Sequence, residues 1–341
     1  MATAMAIATA QAEVGMARGG PNRRVEYVEI QCKSLLNRVN VPYLSFRWSV
    51  NPYSGCVHGC VYCYARRYHE YRELDPFQGF QRQVFVKVNA VEVLRRELSR
   101  KRWRRELVAV GTAADAYQPA EGKYRLTRGI LETLAEFRTP CSITTKNTLV
   151  VRDVDVLRQL AAGPGVRVYF TITTVDEELA RRIEPDTPPP SRRLAALERL
   201  AAAGIPVSVL IMPIMPGLND DPASLEAVIR AAALHGARSV HGGVLRLQGA
   251  VRQVYGRFLL ADSPWLLPLY RRLYPGAYAP VWYQNKVLQR VAELKARYGF
   301  DADTARCEET RGSSDVRPEA SASAGAPAAM TACRLLQLTL F

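Results

Sequence analysis

Short β-branched apolar runs alternate with helical stretches through the middle of the chain. RWSV (47–50), ELVAVGT (106–112), SITTK (142–146), VRVYFTITT (166–174), IPVSVLIMP (205–213) and SVHGGVLRL (239–247) read as strands. Between them apolar residues recur at helical spacing over 127–137, 153–162, 191–203 and 223–235, and again over 281–297. Asp153 and Ser191 suit helix N-caps, and Gly204 and Gly236 suit helix stops. Apolar strands alternating with helices predict βαβ units and a parallel sheet. Six such strands predict an α/β fold, a partial (β/α)6 barrel, with an open doubly wound sheet as the alternative. Either arrangement puts the chemistry at the carboxyl ends of the strands.

The flanks read differently. Residues 1–24 are alanine-rich without a basic n-region, which predicts a disordered leader rather than a signal peptide. The folded body is expected over 25–300. Residues 301–336, rich in Ala, Ser, Gly and Pro, predict a flexible linker. No stretch of about 18 consecutive apolar residues occurs, so no membrane span is expected.

Composition adds compartment and partner. Of 341 residues 48% are hydrophobic and 23% charged, which excludes a wholly disordered chain and supports a large core without disulfides. The seven cysteines are odd in number, and three crowd into eight positions, which suits metal ligation in a reducing, cytoplasmic setting. A net charge of +14 suits a polyanion such as DNA, although an Arg- and Ala-rich proteome gives the same excess.

The chemistry concentrates in NPYSGCVHGCVYCYA (51–65), where Cys56, Cys60 and Cys63 form a C-x3-C-x2-C array. Thiolates bind iron–sulfur clusters and zinc. Three protein thiolates on a cubane leave one iron open to a small molecule. Zinc with His58 or His69 as fourth ligand is the competing reading, and unligated thiols another.

This array, with an aromatic residue (Tyr62) just before the third cysteine, resembles the radical S-adenosylmethionine (SAM) superfamily. The resemblance implies a [4Fe–4S] cluster on Cys56, Cys60 and Cys63, and S-adenosylmethionine on its open iron. It further implies reductive cleavage to a 5′-deoxyadenosyl radical, and an electron donor such as a flavodoxin or ferredoxin. Stretches including LLNRV (35–39), VGTAADAYQPAEGKYRLTR (110–128), TTKNTLVVRDVDVL (144–157), IEPDTPPPSRRLAALERL (183–200) and IMPIMPGLND (211–220) resemble the spore photoproduct lyase-like, or DNA repair photolyase-like, branch. Its founding activity is radical repair of a thymine dimer in DNA.

Carried over position by position, the resemblance implies that Lys146 contacts the S-adenosylmethionine carboxylate and that Thr171 lies near the same ligand. It puts Gly111 and Thr112 in the turn that holds the ligand's amino group, with Asp115 or backbone groups making the contact. One departure stands out. Thr112 occupies the place where the lyase has a hydrogen-donating cysteine, and a hydroxyl O–H is too strong to replace a thiol S–H. Cys141 is expected at the amino end of its strand, away from the chemistry.

Other residues carry two readings each. Tyr117 is a radical relay or ordinary packing; Glu184 and Arg192 order the active-site loop or belong to a plain connector; Asn219 and Asp220 are ligand contacts or turn chemistry. RRELSRKRWRRE (95–106) predicts an exposed helix on the side away from the cluster. The final Gln337, Leu338, Thr339, Leu340 and Phe341 resemble the peptide by which bacterial repair proteins dock on the DNA sliding clamp; a terminal arm folding back is the alternative. Three functions therefore stay open: a radical SAM enzyme on nucleic acid with lyase-like chemistry, the same chemistry on a protein or small molecule, and a non-catalytic zinc or electron-transfer module.

Overall fold

The computed structural model describes residues 25–41 and 44–300. The expected leader 1–24, the linker 301–336 and the docking peptide 337–341 lie outside the described residues.

The strands run in chain order as β1 (Glu26–Ile30), β2 (Asn37–Arg38), β3 (Trp48–Val50), β4 (Tyr53–Ser54), β5 (Gln83–Lys87) and β6 (Val108–Val110). There follow β7 (Cys141–Thr145), β8 (Val166–Thr171), β9 (Val207–Ile214) and β10 (Ser239–Val244). The main sheet has the order β10-β9-β8-β7-β6-β3-β2 and is parallel from β3 to β10. Its six parallel strands are the six read from the apolar runs. Helices connect them, so the body is a partial (β/α)6 barrel. Register runs across it without a slip from Thr144 to Tyr169, Ser208 and Ser239.

The helices bury one face each. In Pro190–Ala202 the buried Leu194, Leu197 and Leu200 repeat every three residues and pack on the sheet. The last helix, Val281–Arg297, covers β10 and has the bounds that its periodicity predicts. Three expectations need correction. Ser191 is not an N-cap: Pro189 holds that position, and the Ser191 hydroxyl instead donates to Glu177. Asp153 stands at the N-cap position of Val154–Ala162 but makes no cap bond; its carboxylate takes Arg128 and Arg152. The basic segment 95–106 is helical only to Leu98. Beyond it Trp103 folds back, edge-on to Trp48 at 5.6 Å and donating to Thr139, and Arg105 adopts a left-handed φ of 56° that no helix tolerates.

A second, three-stranded sheet, β1-β5-β4, was not expected from the apolar runs. Only Asn51 and Pro52 separate its strand β4 from β3 of the barrel. β3 ends at Val50 in the large sheet and β4 begins at Tyr53 in the small one, so the cysteine loop emerges from the seam between the two. Among the described residues no helix is long and apolar enough to cross a membrane.

Candidate active site

The cysteine loop is held from four sides. Cys56 N–H donates to the Phe80 carbonyl (2.9 Å), and the Gln118 amide both accepts from Val57 N–H and donates to the Gly55 carbonyl. Gly55 has φ +85°, and a side chain there would collide with the Gln83 carbonyl, so the turn into the cysteines needs glycine. On the far side Val61 N–H donates to the Ile183 carbonyl and Asp186 N–H to that of His58, which ties the loop to segment 183–187. From behind, the buried Arg66 guanidinium donates to the carbonyls of Cys60, Pro76 and Phe77 and lies over the Phe80 ring.

Thus braced, Cys56, Cys60 and Cys63 line one cavity at the carboxyl end of the barrel. Five of the six parallel strands contribute to its wall. β6 runs into Gly111–Asp115, β7 into Lys146, β8 ends at Thr171, β9 supplies Met212 and Pro213, and β10 runs into Arg246. Tyr62, Gly111, Thr112, Asp115, Lys146 and Thr171 all line it beside the cysteines.

Tyr62 lies at the centre of a buried charge network. Its hydroxyl donates to Glu184, which also accepts from Thr173 and pairs with Arg193 at 2.5 Å. Arg193 donates in turn to the carbonyls of Thr171 and Pro188. Burial alone would raise the Glu184 pKa, but Arg193 and Lys146 hold it below the usual carboxylate range. Lys146 Nζ lies over the Tyr62 ring, 5.6 Å from its centre. Burial works against its charge, yet Cys60 and Glu184 keep the ammonium above its ordinary pKa.

Asp115 organises the opposite wall. One carboxylate oxygen accepts from Thr145 Oγ1 and Tyr117 N–H, the other from Lys146 N–H at 2.7 Å and faces His58 Nδ1 at 3.4 Å. Both oxygens are therefore already engaged in bracing the ends of β6 and β7. Contact with a ligand amino group, expected of Asp115 or backbone groups, falls better to the turn's backbone. Asn51 fixes that turn, exchanging hydrogen bonds with the Thr112 hydroxyl and accepting from Ala113 N–H. Gly111, at φ +86°, passes so close to Thr144 that a Cβ would fall 2.9 Å from its carbonyl oxygen.

The donor set fits an iron–sulfur cluster better than a single ion. Structural zinc takes four protein ligands, so beside Cys56, Cys60 and Cys63 it would need one of the histidines. Both candidate histidines are also accounted for. Burial lowers the His58 pKa, so the ring is neutral; Nδ1–H then faces Asp115 and Nε2 accepts from Asn147 at 3.4 Å. His69 lies outside the cavity, packed edge-on to Phe80 and Phe85. Burial pushes the Cys56 thiol up and the Cys60 thiol to about 12, an environment that requires a cationic partner for thiolate ligation.

The remaining ambiguous residues separate by place. Tyr117 is buried away from the cavity, its hydroxyl on Asp153. Asn219 is bonded to Met215 N–H and to the Thr173 and Pro213 carbonyls, and Asp220 accepts from Gly217 N–H, so both act as turn braces. Glu184 orders the loop, while Arg192 points to solvent. Cys141 begins β7, at the barrel's amino end. Sequence reasoning missed Arg193, Asn51, Tyr64 and Arg246. For Asn51 and Tyr64 there was a signal, their place in the cysteine motif; Arg193 and Arg246 depend on helix phase or chain return.

The Radical SAM superfamily model matches residues 50–227. An uncharacterized protein of Mycobacterium tuberculosis is 42% identical over 281 residues, 82% of this chain and 83% of that protein. One of Methanocaldococcus jannaschii is 30% identical over 199 residues, 58% of this chain and 71% of that protein. Among solved structures, a variant of spore photoproduct lyase superposes with TM-score 0.58 at 16% identity, covering 80% of this chain and 79% of that one. Another, carrying bound AdoMet and dinucleoside spore photoproduct, gives 0.59 at 16% identity, covering 80% and 78%. At such identity the likeness is one of fold.

Proposed function

The chain belongs to the radical SAM superfamily, whose enzymes use a [4Fe–4S] cluster and S-adenosylmethionine, and on that premise we propose that Cys56, Cys60 and Cys63 are its cluster ligands. The observation that carries this is their convergence on one cavity with Lys146 and the 111–115 turn. When bound, the cluster and S-adenosylmethionine supply a 5′-deoxyadenosyl radical by reductive cleavage.

The chain's own residues bind, orient and shield. Lys146 offers an ammonium to a ligand carboxylate. The 111–115 turn offers backbone groups to the amino end, with Thr171 across from it. Tyr62 packs against the cluster side and is fixed by Glu184. Arg66 places positive charge behind the loop, which offsets the negative charge of thiolate ligands.

We assign the substrate to nucleic acid, with lyase-like repair chemistry on a DNA lesion. Supporting this are the spore photoproduct lyase fold, the +14 charge and Arg246 in the cavity wall. Thr112, its hydroxyl engaged by Asn51, makes a poor hydrogen donor to a carbon radical, so the hydrogen is returned by another group. An electron donor such as flavodoxin or ferredoxin, and a cytoplasmic location, complete the reading. The terminal residues 337–341 are assigned to sliding-clamp docking.

The test is anaerobic reconstitution with iron and sulfide, then S-adenosylmethionine and a strong reductant, assaying 5′-deoxyadenosine. Product is expected from the parent and none from the Cys56→Ala, Cys60→Ala, Cys63→Ala chain, with irradiated DNA raising turnover. Equal product from both chains overturns the ligand assignment. Turnover indifferent to irradiated DNA overturns the substrate class.

A further inference from the structure

Segment 115–118, beyond the end of β6, touches both halves of the candidate site. At its first residue the Asp115 carboxylate accepts from Lys146 N–H and from Thr145 Oγ1, each at 2.7 Å, and so fixes the end of β7. At its last residue the Gln118 side chain spans the two peptides that flank Cys56. It accepts from Val57 N–H at 3.3 Å and donates to the Gly55 carbonyl at 3.0 Å. One amide thus grips the backbone on either side of one cysteine.

Between these ends the segment has little room to give. Gln118 N–H donates to the Asp115 carbonyl at 3.3 Å and Tyr117 N–H to the Asp115 carboxylate at 2.9 Å, which closes the turn on itself. Thr127 Oγ1 donates to the Ala116 carbonyl at 2.6 Å, and the Tyr117 hydroxyl to buried Asp153 at 3.2 Å. Ala116, Tyr117 and Gln118 are all buried. The Asp115 N–H also bonds to the Cys56 sulfur, a contact that favours the thiolate. Gln118 does not itself line the cavity, so it acts on a ligand only through the backbone it holds.

We propose, on the assignment of Cys56 as a cluster ligand and of Lys146 as the carboxylate contact, that Gln118 is a positioning residue: it fixes Cys56 relative to Lys146, so that one S-adenosylmethionine molecule reaches both the open iron and the Lys146 ammonium. A ligand with two anchor points binds tightly when both are already held at its own span, because nothing then has to be reordered on binding. The turn sets that span from outside the cavity. Asp115 places the end of β7, and Gln118 places the cysteine.

The experiment measures S-adenosylmethionine binding by calorimetry on the reconstituted, unreduced full chain, for the parent, Gln118→Met, Lys146→Met and the double variant. Met keeps the length of the glutamine side chain and removes both hydrogen bonds. Gln118→Met should bind about tenfold more weakly, the low end of the loss when an outer-shell partner of a metal site is removed. In the Lys146→Met background the same change should cost far less, because the second anchor is already gone. The midpoint potential of the cluster, titrated without S-adenosylmethionine, should fall in Gln118→Met as the Asp115 N–H loses its hold on the Cys56 sulfur. Each value is normalised to cluster content. Ser239→Ala, which breaks a buried hydrogen bond to Ser208 at the amino end of β10, should keep the parental affinity and potential and so separates positioning from lost stability. If Gln118→Met assembles no cluster, Gln118→Asn, whose shorter amide cannot span both peptides, takes its place with the same expectations. Parental affinity or parental potential in the Gln118 variant overturns the proposal, as does an equal loss with and without Lys146. Parental affinity in Lys146→Met, with the cluster in place, overturns the Lys146 assignment and the proposal with it.

Discussion

Glu184 links the cysteine loop to the barrel wall. Its carboxylate meets Tyr62 on one side and Arg193 on the other, and Arg193 reaches the end of β8. A buried charge with a lost partner costs far more than the pair contributes. Arg193→Leu should therefore destabilise the chain by about 3–5 kcal/mol. Urea unfolding measures this, and adding Glu184→Gln to Arg193→Leu should recover a large part of the loss. A single variant as stable as the parent would show that Glu184 finds another partner. The cysteines were legible because thiolate spacing is local. Glu184 was legible only as one of two readings. Arg193 was hidden beside Arg192, because which of two adjacent arginines turns inward depends on the helix phase set at Pro190.

At the level of elements, strands are told from helices by their apolar pattern, and all six parallel strands were read that way. The small sheet was not. β5 alternates buried and half-buried positions over five residues only, and β4 is two residues long, too short for a period to register. Inside the barrel, β9 and β10 share a buried polar chain: Ser208 and Ser239 hydroxyls at 2.8 Å, then His241 Nε2 at 3.0 Å, with Tyr169 edge-on to the ring. Burial, with Lys295 and Arg167 adding to it, pushes the His241 pKa down to about 3. Folded protein thus keeps this ring neutral while the unfolded chain takes up a proton below about pH 6.5. The unfolded state then binds more protons, so stability falls as pH drops from about 6.5 towards 3. The loss at pH 5 relative to neutral pH should be about 2 kcal/mol from this group. Urea midpoints at pH 7.5 and 5 should show that share of the loss removed in His241→Asn. An unchanged pH dependence in the variant would mean the ring is protonated in the fold.

At the scale of the whole molecule, the cysteine loop occupies the seam of two sheets, and cavity walls come from positions as distant as Cys56 and Arg246. The terminal peptide extends the reading beyond the barrel. Deleting residues 337–341 should abolish binding to a bacterial sliding clamp, measured by surface plasmon resonance, while cluster content and 5′-deoxyadenosine formation stay at parental levels. Undiminished clamp binding by the shortened chain would remove the docking assignment. Charge alone does not single out DNA, because an arginine-rich composition raises the net charge everywhere.

The sequence by itself determined the strand and helix order, hence a parallel α/β fold with chemistry at the carboxyl ends of its strands, while the choice of a partial (β/α)6 barrel over an open doubly wound sheet fell to the tertiary structure. The sequence also determined the cluster motif, because the cysteines are neighbours along the chain. These properties are local: periodicity and spacing survive without a fold. Tertiary structure decided what depends on chain return. It engaged both oxygens of Asp115 in bracing the turn, made His58 a neutral hydrogen-bonding group rather than a ligand, and paired Glu184 with Arg193. It also brought Tyr64 and Arg246, far apart in the chain, into the wall of one cavity.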